Sequence, residues 1–67
     1  MADRSYTLVE MRDRDPDDWP ELTPENGAKF EQQLGEAEDD DLIDGTDLDG
    51  VHFFVHKRDV RRVSHWS

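Results

Sequence analysis

Three histidines, His52, His56 and His65, fall within residues 52–65 and are the first side chains to test for chemistry. On a helix, His52 and His56 would be neighbours able to share a metal ion. Their context, Val51-His52-Phe53-Phe54-Val55-His56, reads instead as a strand rich in β-formers. On a strand they share a face but stand about 13 Å apart at about 3.3 Å per residue, with Phe54 between them. Two zinc ligands must each lie about 2.0–2.1 Å from one ion. The spacing points away from a metal site and toward half-exposed imidazoles at a surface.

The acidic stretch from Asp39 to Asp49 invites a calcium reading. An EF-hand loop needs oxygen ligands at positions 1, 3 and 5, glycine at 6 and a bidentate glutamate at 12. With Gly50 at position 6, Asp47 and Asp49 are well placed, but Gly45 falls at position 1 and His56 at position 12. With Gly45 at position 6, Leu42 falls at position 3. Both registers fail, and the stretch reads as a solvated acidic turn. Catalysis has no better footing. There is no glycine-rich phosphate loop and no cysteine. Ser64 precedes His65, but strand alternation sends the two to opposite faces. Carboxylates are too abundant for any pair to stand out, and so small a core is expected to leave no cleft of several hundred Å³. The chain reads as a non-enzyme with no cofactor, no metal and no small-molecule substrate.

Charge is distributed unevenly. Residues 1–50 hold seventeen acids against four bases, a net charge of −13, whereas residues 51–67 hold Lys57, Arg58, Arg61 and Arg62 against Asp59, a net +3. These arginines lie among Phe53, Phe54 and Trp66, so Arg58, Arg61, Arg62 and Trp66 are the candidate binding residues. Three uses are open to them: pairing with the domain's own carboxylates, meeting the acidic region of a second copy, or contacting nucleic acid. The overall charge of −10 repels a polyanion and disfavours the last.

The elements that must position these residues follow from local pattern. Ser5–Arg12 reads as a strand with Tyr6 and Leu8 on one face and Thr7, Val9 and Met11 on the other. Asp13–Asp18 is a polar turn around Pro16, followed by the apolar anchors Trp19 and Leu22. Thr23-Pro24-Glu25 is a helix start: Thr23 caps, Pro24 needs no N–H partner and Glu25 meets the positive dipole end. Phe30, Leu34 and Ala37 form the apolar stripe, Glu25 and Lys29 an i, i+4 pair, and Gly35 the expected stop. Asp41–Leu48 suggests a short, weak strand broken or bulged at Gly45, and Asp49-Gly50 a two-residue hairpin into Val51–His56. Lys57-Arg58-Asp59 is a tight turn, and Val60–Trp66 a strand or a turn leading into one. The pattern predicts one α+β domain over residues 1–67: one short helix packed on a small antiparallel sheet of three to four strands.

The hairpin Asp49-Gly50, with Val55, Asp59-Val60 and Val63 following, resembles small prokaryotic and phage α+β proteins that share a "DG" hairpin and a D-V-x-x-V ending. The resemblance spans about residues 22–66, implies the fold and carries no activity. Eighteen acids, only two lysines and six arginines also resemble the cytoplasmic proteins of salt-accumulating organisms, of haloarchaeal type. No apolar run approaches the roughly 18 residues of a membrane span, and Met1–Ser5 lacks the pattern of a signal peptide. The expectation is a cytoplasmic, salt-adapted interaction protein whose partner is another protein or a second copy in a homodimer. The alternative is a nucleic-acid-associated regulator or an acidic DNA mimic.

Overall fold

The computed structural model describes residues 5–66. Among them five strands and one helix follow one another: β1 (Tyr6–Met11), β2 (Glu21–Leu22), α1 (Pro24–Glu36), β3 (Leu42–Thr46), β4 (His52–His56) and β5 (Val60–Trp66). Single 3-10 turns, Pro16–Asp18 and Lys57–Asp59, stand where the sequence places its polar turns. The α+β class is the expected one. The strands divide between two antiparallel sheets, one ordered β2-β1-β5 and the other β3-β4. β3 and β4 form the expected hairpin. β5 leaves it at the Lys57–Asp59 turn and pairs with β1, from Tyr6↔Trp66 to Met11↔Val60.

β1 alternates as its pattern requires. Thr7, Val9 and Met11 point inward and are buried, while Tyr6 and Leu8 lie half-buried on the outer face. The core joins Val9, Met11 and Leu22 to Phe30 of α1, Ile43 and Val55 of the hairpin and Val60 of β5. Trp19 packs against its margin, and its indole N–H donates to the carbonyls of Met11 and Arg14, each at 3.1 Å. Leu22, read as an anchor in a connection, lies in β2 and pairs with Thr7.

Helix α1 begins as its residues dictate. The Thr23 hydroxyl accepts the Asn26 amide at 3.1 Å, with Pro24 at the first helical position. Gly27 is the point of closest approach to β1. A Cβ there would lie 2.2 Å from Thr7 Oγ1, so this residue sets the helix-to-sheet distance as well as weakening the helix. Glu25 and Lys29 form their i, i+4 pair at 3.8 Å on the exposed side. The helix runs one residue past Gly35, and Lys57 Nζ donates to the Ala37 carbonyl at 2.7 Å. That cation offsets the acids crowded at the negative end of the helix.

The reading of Gly45 as a break or a bulge is corrected. β3 and β4 pair without interruption from Leu42↔His56 to Thr46↔His52. Glycine is needed there because the Phe53 ring crosses over it: a Cβ would lie 2.7 Å from Phe53 Cζ and 3.1 Å from Phe30 Cδ1. The hairpin loop is also longer than two residues. The Asp47 amide donates to Val51 O and the Gly50 amide to Asp47 O, each at 3.0 Å, so Leu48–Gly50 form a three-residue loop. Gly50 takes the left-handed conformation, φ 82°, that closes such a loop. Asp47 Oδ1 accepts the amides of Asp49 and Val51, each at 2.9 Å. Val51 closes the loop opposite Asp47 and is exposed, so it does not share the inward face of Phe53 and Val55.

Candidate interaction surface

The four residues singled out by charge do not act as one group. Arg58 and Arg61 open onto a concavity of about 440 Å³ shared with Arg12, Lys57 and Asp39. Leu34 and Val60 line it as well. Backbone hydrogen bonds assemble it from three segments. The Arg12 amide donates to Asp59 O at 2.7 Å, the Lys57 amide to Asp41 O at 3.0 Å and the Arg58 amide to Asp39 O at 2.9 Å. The β1–β5 ladder slips by one residue here: Glu10 pairs with Arg62 and Met11 with Val60, leaving Arg61 as the extra residue of a bulge. Such a bulge re-aims a side chain relative to regular alternation.

Arg12, Arg58 and Arg61 make no ion pair within 4.0 Å among the described residues. Four cations and one acid thus surround a single concavity on a chain of net charge −10. Arg12 was not visible as a member of this group. It stands 46 residues before Arg58 in a predominantly acidic stretch, and only the pairing of β1 with β5 brings the two together.

Arg62 and Trp66 lie on the outer face of the three-stranded sheet. Arg62 does pair with one of the domain's own carboxylates. Its Nε donates to Glu10 Oε2 at 2.8 Å, and the Ser64 hydroxyl donates to the same oxygen at 2.7 Å. Glu10 is only 5% exposed, roofed by these partners. The Ser64 hydrogen bond first, then that of Arg62, hold its carboxyl below the ordinary value, against the opposing pull of burial. Trp66 stacks on Tyr6 with ring centres 6.4 Å apart and remains half-exposed. The interleaving of arginine and tryptophan in sequence is thereby split: the free arginines Arg58 and Arg61 are grouped at the concavity, the tryptophan on the outer sheet face.

The histidines are likewise separated. His52 Nε2 meets Asp44 Oδ2 at 2.9 Å, and His65 lies between Thr7 Oγ1 at 3.2 Å and Glu31 Oε1 at 3.0 Å. Ser64 and His65 face opposite sides of β5, so they do not form a nucleophile pair. No group of three or more His, Cys, Asp or Glu among the described residues is arranged to hold a metal ion.

The expectation of no concavity of several hundred Å³ is corrected as well. Besides the basic one, a second of about 640 Å³ carries Asp17, Asp18, Glu21, Asp47 and Asp49 around Trp19 and Phe53. Both are surface features formed where separate elements meet, and such space does not depend on the size of the core. No helix among the described residues is long and apolar enough to cross a membrane. The fold and surface define a small two-sheet α+β domain with oppositely charged concavities. No protein-family model, no curated protein and no solved structure matches the chain.

Proposed function

We propose that this chain is a salt-adapted, cytoplasmic, non-enzymatic interaction module. It grips a carboxylate-bearing segment of a protein partner in the concavity of Arg12, Lys57, Arg58 and Arg61. The observation that carries the reading is the convergence of these cations, three of them without an ion-pair partner among the described residues. Guanidinium groups match carboxylates in shape and charge and can bond them through two parallel N–H groups. They neither release a proton nor attack a substrate near neutrality, so they suit recognition better than catalysis. Nucleic acid is the weaker reading, because Trp66 lies away from the free arginines and the net charge of −10 repels a polyanion.

The test is titration of the folded chain with an acidic peptide, and separately with a single-stranded oligonucleotide of matched charge. The peptide is expected to bind, and the Arg58→Glu/Arg61→Glu variant to lose most of that affinity. Each reversal turns about 1 kcal/mol of attraction at 4 Å in water into similar repulsion, about 2 kcal/mol or about 30-fold per site. Tighter binding of the oligonucleotide would replace this reading with nucleic-acid contact. Peptide binding unaffected by the double reversal would remove the concavity from the account.

A further inference from the structure

The directions of the peptide groups along β5 follow from its neighbours. The Val9 amide donates to Pro20 O at 3.0 Å, so the peptide groups of Val9 face β2. In an antiparallel ladder, successive residues turn to opposite sides. Tyr6, Leu8 and Glu10 therefore bond Trp66, Ser64 and Arg62, while Val63 and His65, opposite Val9 and Thr7, turn their N–H and C=O groups away from β1. No other strand among the described residues pairs with β5 on that side. The opposite edge of the sheet differs, since the Leu48 amide closes on Glu21 O at 2.8 Å. One edge of the three-stranded sheet is thus capped, and a seven-residue edge is open.

We propose that β5 pairs antiparallel with β5 of a second copy about a two-fold axis at Val63, joining two three-stranded sheets into one of six strands. This register sets Val63 against Val63 as a hydrogen-bonded pair through its outward groups and brings His65 opposite the bulged Arg61. Shifting the axis to Arg62 would set arginine against arginine in a close, non-hydrogen-bonded pair, which like charges disfavour. Shifting it to Ser64 would carry Arg61 past Trp66, the last residue of the opposing strand.

Charge also selects this pairing. Glu10 Oε2 accepts the Ser64 hydroxyl at 2.7 Å, so its carboxylate stands over Ser64 on the outer face. In the two-fold pairing, Arg62 of the second copy is the cross-strand neighbour of Ser64. Each Glu10 carboxylate then has its own Arg62 on one side and that of the other copy on the other. Its second oxygen, Oε1, takes no hydrogen bond among the described residues. β5 itself contains no acid, so two chains of net charge −10 can meet along it without opposing carboxylates. A single strand seam lies below the roughly 1,200 Å² of a standard interface, which makes the dimer weak and dependent on concentration. Salt favours it by screening the repulsion between the acidic bodies.

The proposed seam runs along the outer edge of β5 and meets the peptide-binding concavity only at its Val60–Arg61 end, so its test leaves Arg58 and Arg61 unchanged. Sedimentation equilibrium of the full chain in molar KCl should show the mass rising toward twice the monomer value with concentration. Over the same range, amide hydrogen exchange at Val63 and His65 should slow, while that of Val9 stays constant. Val63→Pro removes an outward N–H that no hydrogen bond among the described residues uses, and should remain monomeric with an unchanged circular dichroism spectrum. If that variant does not fold, the exchange pattern of the unmodified chain decides. A monomer mass at every concentration overturns the proposal, as does a dimer in which Val63 and His65 exchange at the monomer rate.

Discussion

Replacing Gly27 by alanine should destabilise this domain, although the same change inside a helix normally stabilises it by about 1 kcal/mol. The reason is the approach of α1 to β1. An added Cβ would meet Thr7 Oγ1 at 2.2 Å, Thr7 Cβ at 2.4 Å and Thr7 Cγ2 at 2.7 Å. Rotating the Thr7 side chain does not relieve the clash, because its Cβ is fixed to the backbone of a central strand and the residue is fully buried. Helix and strand must separate, and overpacking of this kind costs about 3 kcal/mol. After the propensity gain is subtracted, the net loss is about 2 kcal/mol, a fall in Tm of about 8–16 °C for a domain of this size. Gly35 in the same helix supplies the control, since a Cβ there meets nothing within 4 Å. Gly35→Ala should raise Tm by about 4–8 °C. Thermal melts of both variants in molar KCl give the comparison. A Gly27→Ala protein as stable as the unmodified chain would refute the placement of α1 against Thr7.

Glu10→Gln tests the carboxylate roofed by Ser64 and Arg62. The folded state favours its charged form, so the stabilisation is complete above the ordinary value of 4.5 and is lost as pH falls through the lower native value. Stability curves of the two proteins should therefore converge as pH drops below about 4.5, and parallel curves would contradict the assignment. Salt dependence tests the proposed adaptation: circular dichroism should show structure gained between low and molar KCl, and a chain fully folded at low salt would defeat the idea.

Much of the local architecture is legible in the residues. The alternation of Thr7, Val9 and Met11, the Thr23-Pro24 helix start and the Phe53 and Val55 face each depend on interactions within a few positions. What the residues do not display is which strands meet. β5 has the composition to continue a meander from β4, and only tertiary packing decides that it crosses to β1. Two misreadings share that origin. Gly45 resembles a break or a bulge until Phe53 is known to cross it, and Arg12 appears to belong to an acidic body. The division of charge near Gly50 is real in sequence, yet folding redistributes it. One basic residue from the acidic half joins the concavity, and Arg62 leaves it to pair with Glu10.

The pairing of Tyr6 with Trp66 has a kinetic consequence. The α1–β3–β4 segment can close through short loops, whereas β1 must wait for a strand more than fifty residues downstream. Closing a loop of that length is an entropic cost met before any of its contacts form, and topologies dominated by such contacts fold slowly. On a ribosome, β1 would emerge early with only the two residues of β2 as a nearby strand partner and stay exposed until Val60–Trp66 followed. The acids around it would then have an earlier task than any in the native state, which is to keep that waiting strand from pairing with its neighbours.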